Sequence, residues 1–178
     1  MATAATNRTG SQTVRSIFVT ALRNTHALET EALQIMNRQV ERLERYPEME
    51  QRLRQHIRET EGQQRRIEEA LHALGEDRSL LKEAVMSFVG NLAALAHIPA
   101  GDEILKNTFA NHAFENYEIA AYKSLIAITG AAGESRFVPG FEQSLREEEA
   151  MARFIYENVD AITRKHLTFE EQGAKADR

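Results

Sequence analysis

The chain has 178 residues, a net charge of −5 and 28% charged residues, the composition of a single globular domain. It contains no cysteine, which excludes disulfides, thiolate metal sites and cysteine nucleophiles and fits a reducing cytoplasm. No run approaches the ~20 apolar residues that cross a bilayer, residues 1–12 lack the hydrophobic run expected of a signal peptide, and no basic block marks a nucleic-acid footprint. We therefore expect a cytoplasmic protein with neither membrane nor nucleic-acid partners.

Helical periodicity runs through almost the whole chain, and strand alternation is nowhere convincing. Residues 1–12 are predicted to form a flexible tail before the first helix. That helix ends at Tyr46, because the following proline disfavours a helical conformation in the residue before it. The second helix begins at Pro47, a favourable first-turn residue, and stops at Gly75. The short turn between the two helices predicts antiparallel neighbours.

A shorter apolar helix follows, and Asp102 is a suitable N-cap for the helix after it. Residues 130–133 form a turn before the last helix, and residues 168–178 are predicted to form a second flexible tail. The predicted helices span about residues 13–45, 47–74, 79–97, 102–129 and 135–166. We predict an all-α, ferritin-like up-down four-helix bundle over residues 13–167, with a long crossover that contains the short fifth helix.

Each long helix places one glutamate beside or inside its apolar stripe, near the middle of the helix. An ionised carboxylate in an apolar interior costs several kcal/mol unless it is paired or bound to a cation. Four such carboxylates at one level would also repel each other. Two iron ions remove the conflict, because carboxylates can bridge both ions. The four glutamates are Glu29, Glu59, Glu115 and Glu148.

Histidines lie three residues before two of these glutamates, at His56 and His112. Di-iron bundles use the opposite order, Glu-x-x-His, so the predicted site is rich in carboxylates and poor in imidazoles. Glu118 can fill one ligand position. The two histidines then act either as ligands or as partners that orient the ligands. A carboxylate cage accepts manganese as readily as iron.

Structural interpretations compete with the metal site, because any single glutamate could point to solvent or pair with an arginine. Tyr117 and Tyr122 are predicted to pack in the core. The apolar segment 80–98 could cover the bundle or form a partner surface, and the arginine-rich second helix is expected to present a solvated face. The remaining histidines are predicted to be solvated or to cap helices: His26, His72, His97 and His166.

Four segments carry a resemblance to a known family. Residues 24–29, 56–63, 115–122 and 145–149 are similar, in the same order, to conserved segments of the YciE/YciF family of ferritin-like bacterial stress proteins. The run Glu-Asn-Tyr-Glu-Ile-Ala-Ala-Tyr at 115–122 is the most specific of them. Arg58 and Asn116 depart from the pattern, since the family usually has Glu and His at these positions.

The resemblance implies a ferritin-like bundle, often a homodimer, linked to bacterial stress responses. The leading hypothesis from the residues is a di-iron carboxylate protein, with two irons per chain, that handles iron, O2 or peroxide with oxidase- or peroxidase-type chemistry. The alternative is a non-enzymatic dimer, structural or partner-binding, whose metal site is degenerate or empty. The candidate ligands are Glu29, Glu59, Glu115, Glu118, Glu148, His56 and His112.

Overall fold

The computed structural model describes residues 2–76 and 102–174, with side chains from Gln12 onward. Every regular element in these two ranges is helical. No helix within them is long and apolar enough to cross a membrane. The elements are α1 (Ala2–Val40), α2 (Pro47–Ala73), α3 (Glu103–Ala131), a 3-10 turn (Ser135–Phe137) and α4 (Val138–Glu171).

The four long helices agree with the sequence-based prediction, and the differences lie at their ends. α1 begins at Ala2, well before the expected start, and ends at Val40 rather than near Arg45. α4 begins at Val138, directly after a 3-10 turn, and Pro139 lies in its first turn. The predicted short helix 79–97 lies outside the described residues, and the division into tails and bundle stays a prediction.

The helix boundaries follow from local chemistry. Pro47 occupies the first turn of α2, where a missing N–H costs nothing. Gly75 and Gly133 adopt φ values of 76° and 75° just after α2 and α3. Only glycine adopts this left-handed conformation without strain, so both positions end a helix and release the chain into a turn.

Helix neighbours in the bundle all run antiparallel. α1 packs on α2 and α3, and α4 packs on the same two helices. Arg15 contacts Leu74 whereas Thr30 contacts Gln64, so α1 and α2 run in opposite directions. Gln39 contacts Asn111 whereas Glu29 contacts Tyr122, so α1 and α3 also run in opposite directions. Consequently α2 ends and α3 begins at opposite ends of the bundle, as a long crossover requires.

The bundle core has two apolar halves separated by a polar layer. One half contains Met36, Leu53 and Ile155. The other contains Phe18, Ile67 and Phe141. The buried acids and the buried histidine of the helix middles lie between these halves, where apolar side chains on both sides exclude water.

Three aromatic or histidine predictions need correction. Tyr117, expected in the core, is 54% exposed, because its position turns away from the stripe that contains Glu118 and Tyr122. His26 and His166, expected at the surface, are buried. His26 Nε2 lies 3.2 Å from Glu68 on α2, a partner that one-dimensional periodicity does not reveal.

Candidate metal centre

Four side chains from three helices meet in the polar layer. They are His56 on α2, Glu115 and Glu118 on α3, and Glu148 on α4, and all four are buried. One potential ligand atom from each lies within 4.8 Å of the others, so the group could hold a metal ion. Glu115 and Glu118 point to the same side of α3, because residues three or four apart share a helix face.

The imidazole of His56 occupies the centre of this group. Its Nε2 lies 3.1 Å from Glu115 Oε2 and 3.3 Å from Glu148 Oε2. Its Nδ1 lies 3.0 Å from Glu59 Oε2 on the outer side. Burial would lower the pKa of His56, but the surrounding carboxylates, Glu115 foremost, hold it well above its usual value. The contacts with these carboxylates therefore favour the imidazolium form of His56.

Glu29 on α1 completes the layer from the fourth helix. It is fully buried, and Tyr122 donates a hydrogen bond of 2.5 Å to its Oε1. Burial raises the pKa of Glu29 well above 4.5, and the nearby Glu148 raises it further. The same burial, together with Glu29, raises the pKa of the Tyr122 hydroxyl, so this tyrosine remains a donor.

The acids of the layer share protons unequally. Burial raises the pKa of Glu115 to about 8 and that of Glu118 well above 4.5, in both cases with Glu148 as a contributing charge. Burial also acts on Glu148, but its contact with His56 outweighs that effect and keeps its pKa below the usual value. The contact with His56 thus favours the ionised form of Glu148, while burial favours the protonated forms of Glu115 and Glu118.

Several acid oxygens in this layer are buried and find no hydrogen-bond partner within residues 12–76 and 102–174. They are Oε2 of Glu29 and Oε1 of Glu118, together with Oε2 of Glu115 and Glu148, whose ion-pair contacts with His56 Nε2 at 3.1 and 3.3 Å do not meet hydrogen-bond geometry. The two oxygens nearest Nε2 of His56 share a single N–H, which cannot point at both. An orphaned buried polar group costs roughly 1–3 kcal/mol, and a cation would satisfy these oxygens together. A donor set of carboxylates and one imidazole could hold a metal ion.

Comparison with known proteins identifies the family of this chain. The profile described as Domain of unknown function (DUF892) matches residues 13–168. The chain belongs to this family. A crystal structure of a Xanthomonas campestris pv. campestris protein is 28% identical to this DUF892 protein. The match covers 89% of this chain and 99% of that one, with a TM-score of 0.75.

A second solved structure, YcfI from Rhodopseudomonas palustris, is 21% identical to the DUF892 protein and has a TM-score of 0.61. The match covers 80% of this chain and 92% of that one. YcfI is named, provisionally, as a structural protein. Both matches confirm the helical-bundle fold, while the narrower resemblance to YciE/YciF stays a prediction.

Three predicted ligands of the DUF892 protein lie outside the four-residue group: Glu29, described above, and Glu59 and His112. Glu59 has a side chain that is 19% exposed, and it accepts hydrogen bonds from Arg52 at 3.0 Å and Gln55 at 2.7 Å. Against the effect of burial, these partners and His56 lower the pKa of Glu59 to about 2. His112 is half-buried, with Nδ1 3.2 Å from the carbonyl oxygen of Ala152. Ligation by either residue stays a prediction.

The buried amide of Gln63, to which the sequence-based prediction gave no role, supports the site by a hydrogen bond to Glu148. Gln63 is fully buried, and its amide nitrogen donates to Glu148 and, at 3.2 Å, to Glu147. Arg66 holds Glu147 with two hydrogen bonds of 2.8 and 3.0 Å. The signal in the sequence was the spacing, since Gln63 lies seven residues after His56 on the same helix face.

Replacing Gln63 by leucine tests this support. In Gln63→Leu, Glu148 loses its amide donor in a buried position, so we expect a loss of roughly 1–3 kcal/mol in the free energy of unfolding. Chemical denaturation measures this loss in the free energy of unfolding. The matched control is Gln64→Leu, whose half-buried side chain donates only to the Thr30 hydroxyl at 2.8 Å. Equal losses in both variants would show that Gln63 has no special function.

Proposed function

We propose that this DUF892 protein binds iron in its polar layer as a ferritin-like metal protein. Glu29, His56, Glu115, Glu118 and Glu148 would supply the ligands. The observation that carries the proposal is the set of buried acid oxygens without hydrogen-bond partners around His56. Natural cores satisfy their buried polar groups, so several unsatisfied acid oxygens in one layer of the described residues favour a bound cation.

Charge balance favours two divalent ions. The four glutamates carry four negative charges when fully ionised, and two divalent cations neutralise them with His56 uncharged. A single divalent ion would leave two charges to be neutralised by protons in an apolar setting. Because the ligands must lose their protons, metal binding would release protons to the solvent.

The contact between His56 and Glu59 supports ligation by the imidazole. With a metal bound, Glu59 would accept the Nδ1–H of His56, which would leave the Nε2 lone pair on the side of Glu115 and Glu148. Metal-binding histidines commonly donate their second N–H to a carboxylate in this way. In this proposal Glu59, which the sequence predicted as a ligand, would instead orient the ligand His56.

Removing the Glu59 side chain tests this orientation. We expect Glu59→Ala to weaken metal affinity about 10- to 100-fold while the bundle remains folded, because the imidazole loses its anchor. Glu59→Gln retains a hydrogen-bond acceptor and should recover part of the affinity. Calorimetric titration with ferrous ion under anaerobic conditions measures both. Wild-type affinity in Glu59→Ala would remove Glu59 from the site.

Bound iron would supply one-electron redox chemistry towards dioxygen or peroxide. The chain would contribute the rest: apolar halves that exclude water, Glu29 held by Tyr122, and acids that hold or release protons at the layer. A role in iron or peroxide handling during bacterial stress, with oxidase- or peroxidase-type activity, follows from the resemblance to stress proteins.

A second function, a metal-free structural bundle, has one observation in its favour. The imidazolium of His56 already balances one ionised acid, and protons on the other acids could neutralise the remainder. The provisional description of YcfI as a structural protein agrees with this alternative. It predicts that divalent metals neither bind tightly nor stabilise the protein.

Metal content decides between the two functions. The protein is purified without chelator, loaded anaerobically with ferrous or manganous ion, and analysed by elemental mass spectrometry. We expect about two ions per chain, with release of protons on binding. A wild-type protein that retains no ion after loading with either metal contradicts the proposal and favours the structural bundle.

A further inference from the structure

The outward side of α1 is buried in the middle of the helix. Phe18 and Met36 both lie in the bundle core, and Ala27 is nine residues from each of them along the chain. Nine residues make two and a half helical turns, so Ala27 points directly away from the core. It is nevertheless only 1% exposed, and Glu31, one turn later on the same side, is only 7% exposed. We call Ala27 and Glu31 the covered face of α1.

The surroundings of Glu31 indicate that an apolar element covers this face. Burial raises the pKa of Glu31 above its usual value, although Arg38 acts in the opposite direction. The cover therefore removes water from the carboxyl group, as an apolar surface does. The contact is confined to the middle of the helix, because Thr20 and Gln34 on the same side of α1 are exposed.

The described helices do not supply this cover, and the connection between α2 and α3 can. That connection must pass over α1 or α4, because each of these two helices packs on both α2 and α3. The outward side of α4 is exposed at four successive positions: Arg146, Ala150, Arg153 and Glu157. Residues 2–11 continue α1 in line and cannot return over its middle. Ala27 is buried within a single chain, so residues 77–101 are the part long enough to cover it.

Ion pairs hold both ends of the connection against the two ends of α1. Arg23 lies 2.6 Å from Glu76, the last described residue before the connection. Arg42, just after α1, lies 2.8 Å from Glu103 in the first turn of α3. The two arginines are about 19 positions apart, or roughly 28 Å at the helical rise. The predicted short helix 79–97 has the same length, so it can span this distance across the covered face.

We propose that the covered face of α1 is the docking surface of the chain's own apolar segment 79–97. As a helix, this segment places four large apolar residues on one side: Leu81, Val85, Phe88 and Leu92. Glu83, Ser87 and Gly90 lie on the opposite side. The small side chain of Ala27 lets an apolar helix approach closely. The segment then belongs to the bundle and forms no partner surface, which decides between the two alternatives that the sequence leaves open.

Internal crosslinking tests the contact directly. Because the chain has no cysteine, Ala27→Cys combined with Ala84→Cys introduces one thiol on each side of the proposed contact. A short bis-maleimide should join these two positions within one chain at low protein concentration. The control pair, Ala150→Cys with Ala84→Cys, places one thiol on the outward side of α4 and should give no internal crosslink. Equal internal crosslinking of both pairs, or of neither, would overturn the proposal, and products formed only between chains would assign the face to a second copy.

Hydrogen exchange of the full chain tests the same docking by a second measurement. An isolated helix of 19 residues is marginal in water, so slow exchange of the amides of residues 80–96 requires a packing partner. We expect Ala27→Arg to accelerate this exchange at least about tenfold, because a charged side chain opposes an apolar contact. Gln34→Arg places the same side chain at an exposed position of α1 and should leave the exchange unchanged. Unprotected amides in the wild type, or equal protection in both variants, would contradict the docking.

Discussion

Replacing Glu118 by glutamine is expected to weaken iron binding at least about 100-fold while the metal-free protein stays as stable as the wild type or becomes more stable. Glu118 is buried, its pKa is raised well above the usual value, and its Oε1 has no hydrogen-bond partner among the described residues. A protonated carboxyl and an amide have the same shape, so the metal-free core tolerates the change. Iron requires the ionised oxygen, which the amide cannot supply.

The measurement combines anaerobic titration with thermal unfolding in the presence and absence of ferrous ion. Glu61→Gln is the matched control, because Glu61 is an exposed acid on α2. We expect the control to retain wild-type affinity and wild-type stabilisation by iron. If Glu118→Gln bound iron as tightly as the control, Glu118 would not be a ligand. A marked loss of metal-free stability would instead give the acid a structural role.

The metal-free protein is expected to lose stability as the pH rises from about 5 to about 8. The pKa of Glu115 is raised from 4.5 to about 8 by burial, and burial also raises the pKa of Glu29 and Glu118. The folded state therefore holds protons that the unfolded state has already released above pH 4.5. Raising the pH removes these protons from the folded state, so the free energy of unfolding falls.

The raised pKa of His56 acts in the same direction, because its stabilising imidazolium is lost when the pH passes the folded value. A fall in Tm of roughly 5 °C or more is the expected size, given about 2–4 °C per kcal/mol for a chain of this length. Calorimetric scans of chelator-treated protein measure it. Bound divalent metal should reverse the trend, because deprotonated ligands bind the cation more strongly.

Glu115→Gln provides the internal comparison for the pH effect. The amide cannot titrate, so the decrease in Tm between pH 5 and pH 8 should become smaller than in the wild type. A Tm that stays constant or rises over this interval in metal-free wild type would contradict the proton-sharing layer. It would mean that the buried acids are compensated by groups other than protons and His56.

The features that the sequence predicted well are those that depend on residues close together along the chain. Helical periodicity, Pro47 and Gly75 located α1 and α2, and the structure confirms them with shifts at the ends. Glu29, Glu115 and Glu148 stood out as acids beside or inside an apolar stripe, with Glu118 as an additional candidate, and all four are buried. Metal binding stays a proposal, both from the sequence and from the structure.

The sequence was least informative where contacts between side chains decide the environment. Tyr117 and Tyr122 are both aromatic residues of one helix, yet only Tyr122 faces the core, where it donates to Glu29. Glu59 looked equivalent to Glu115, but it accepts hydrogen bonds from Arg52 and Gln55 of its own helix on the outer side of His56, and its ligation stays a prediction. Gln63 had no assigned role because its partners, Glu147 and Glu148, belong to another helix.

The sequence by itself determined the helices, their apolar faces and the acids within them, because these follow from a periodicity of 3.6 residues and from turn chemistry. Only the tertiary structure decided which acids share one layer and where their protons reside. It also showed that α3 presents uncharged aromatic residues outward and acids inward. Desolvation and charge coupling act across distances of a few ångströms between helices, and the order of residues along one helix does not contain those distances.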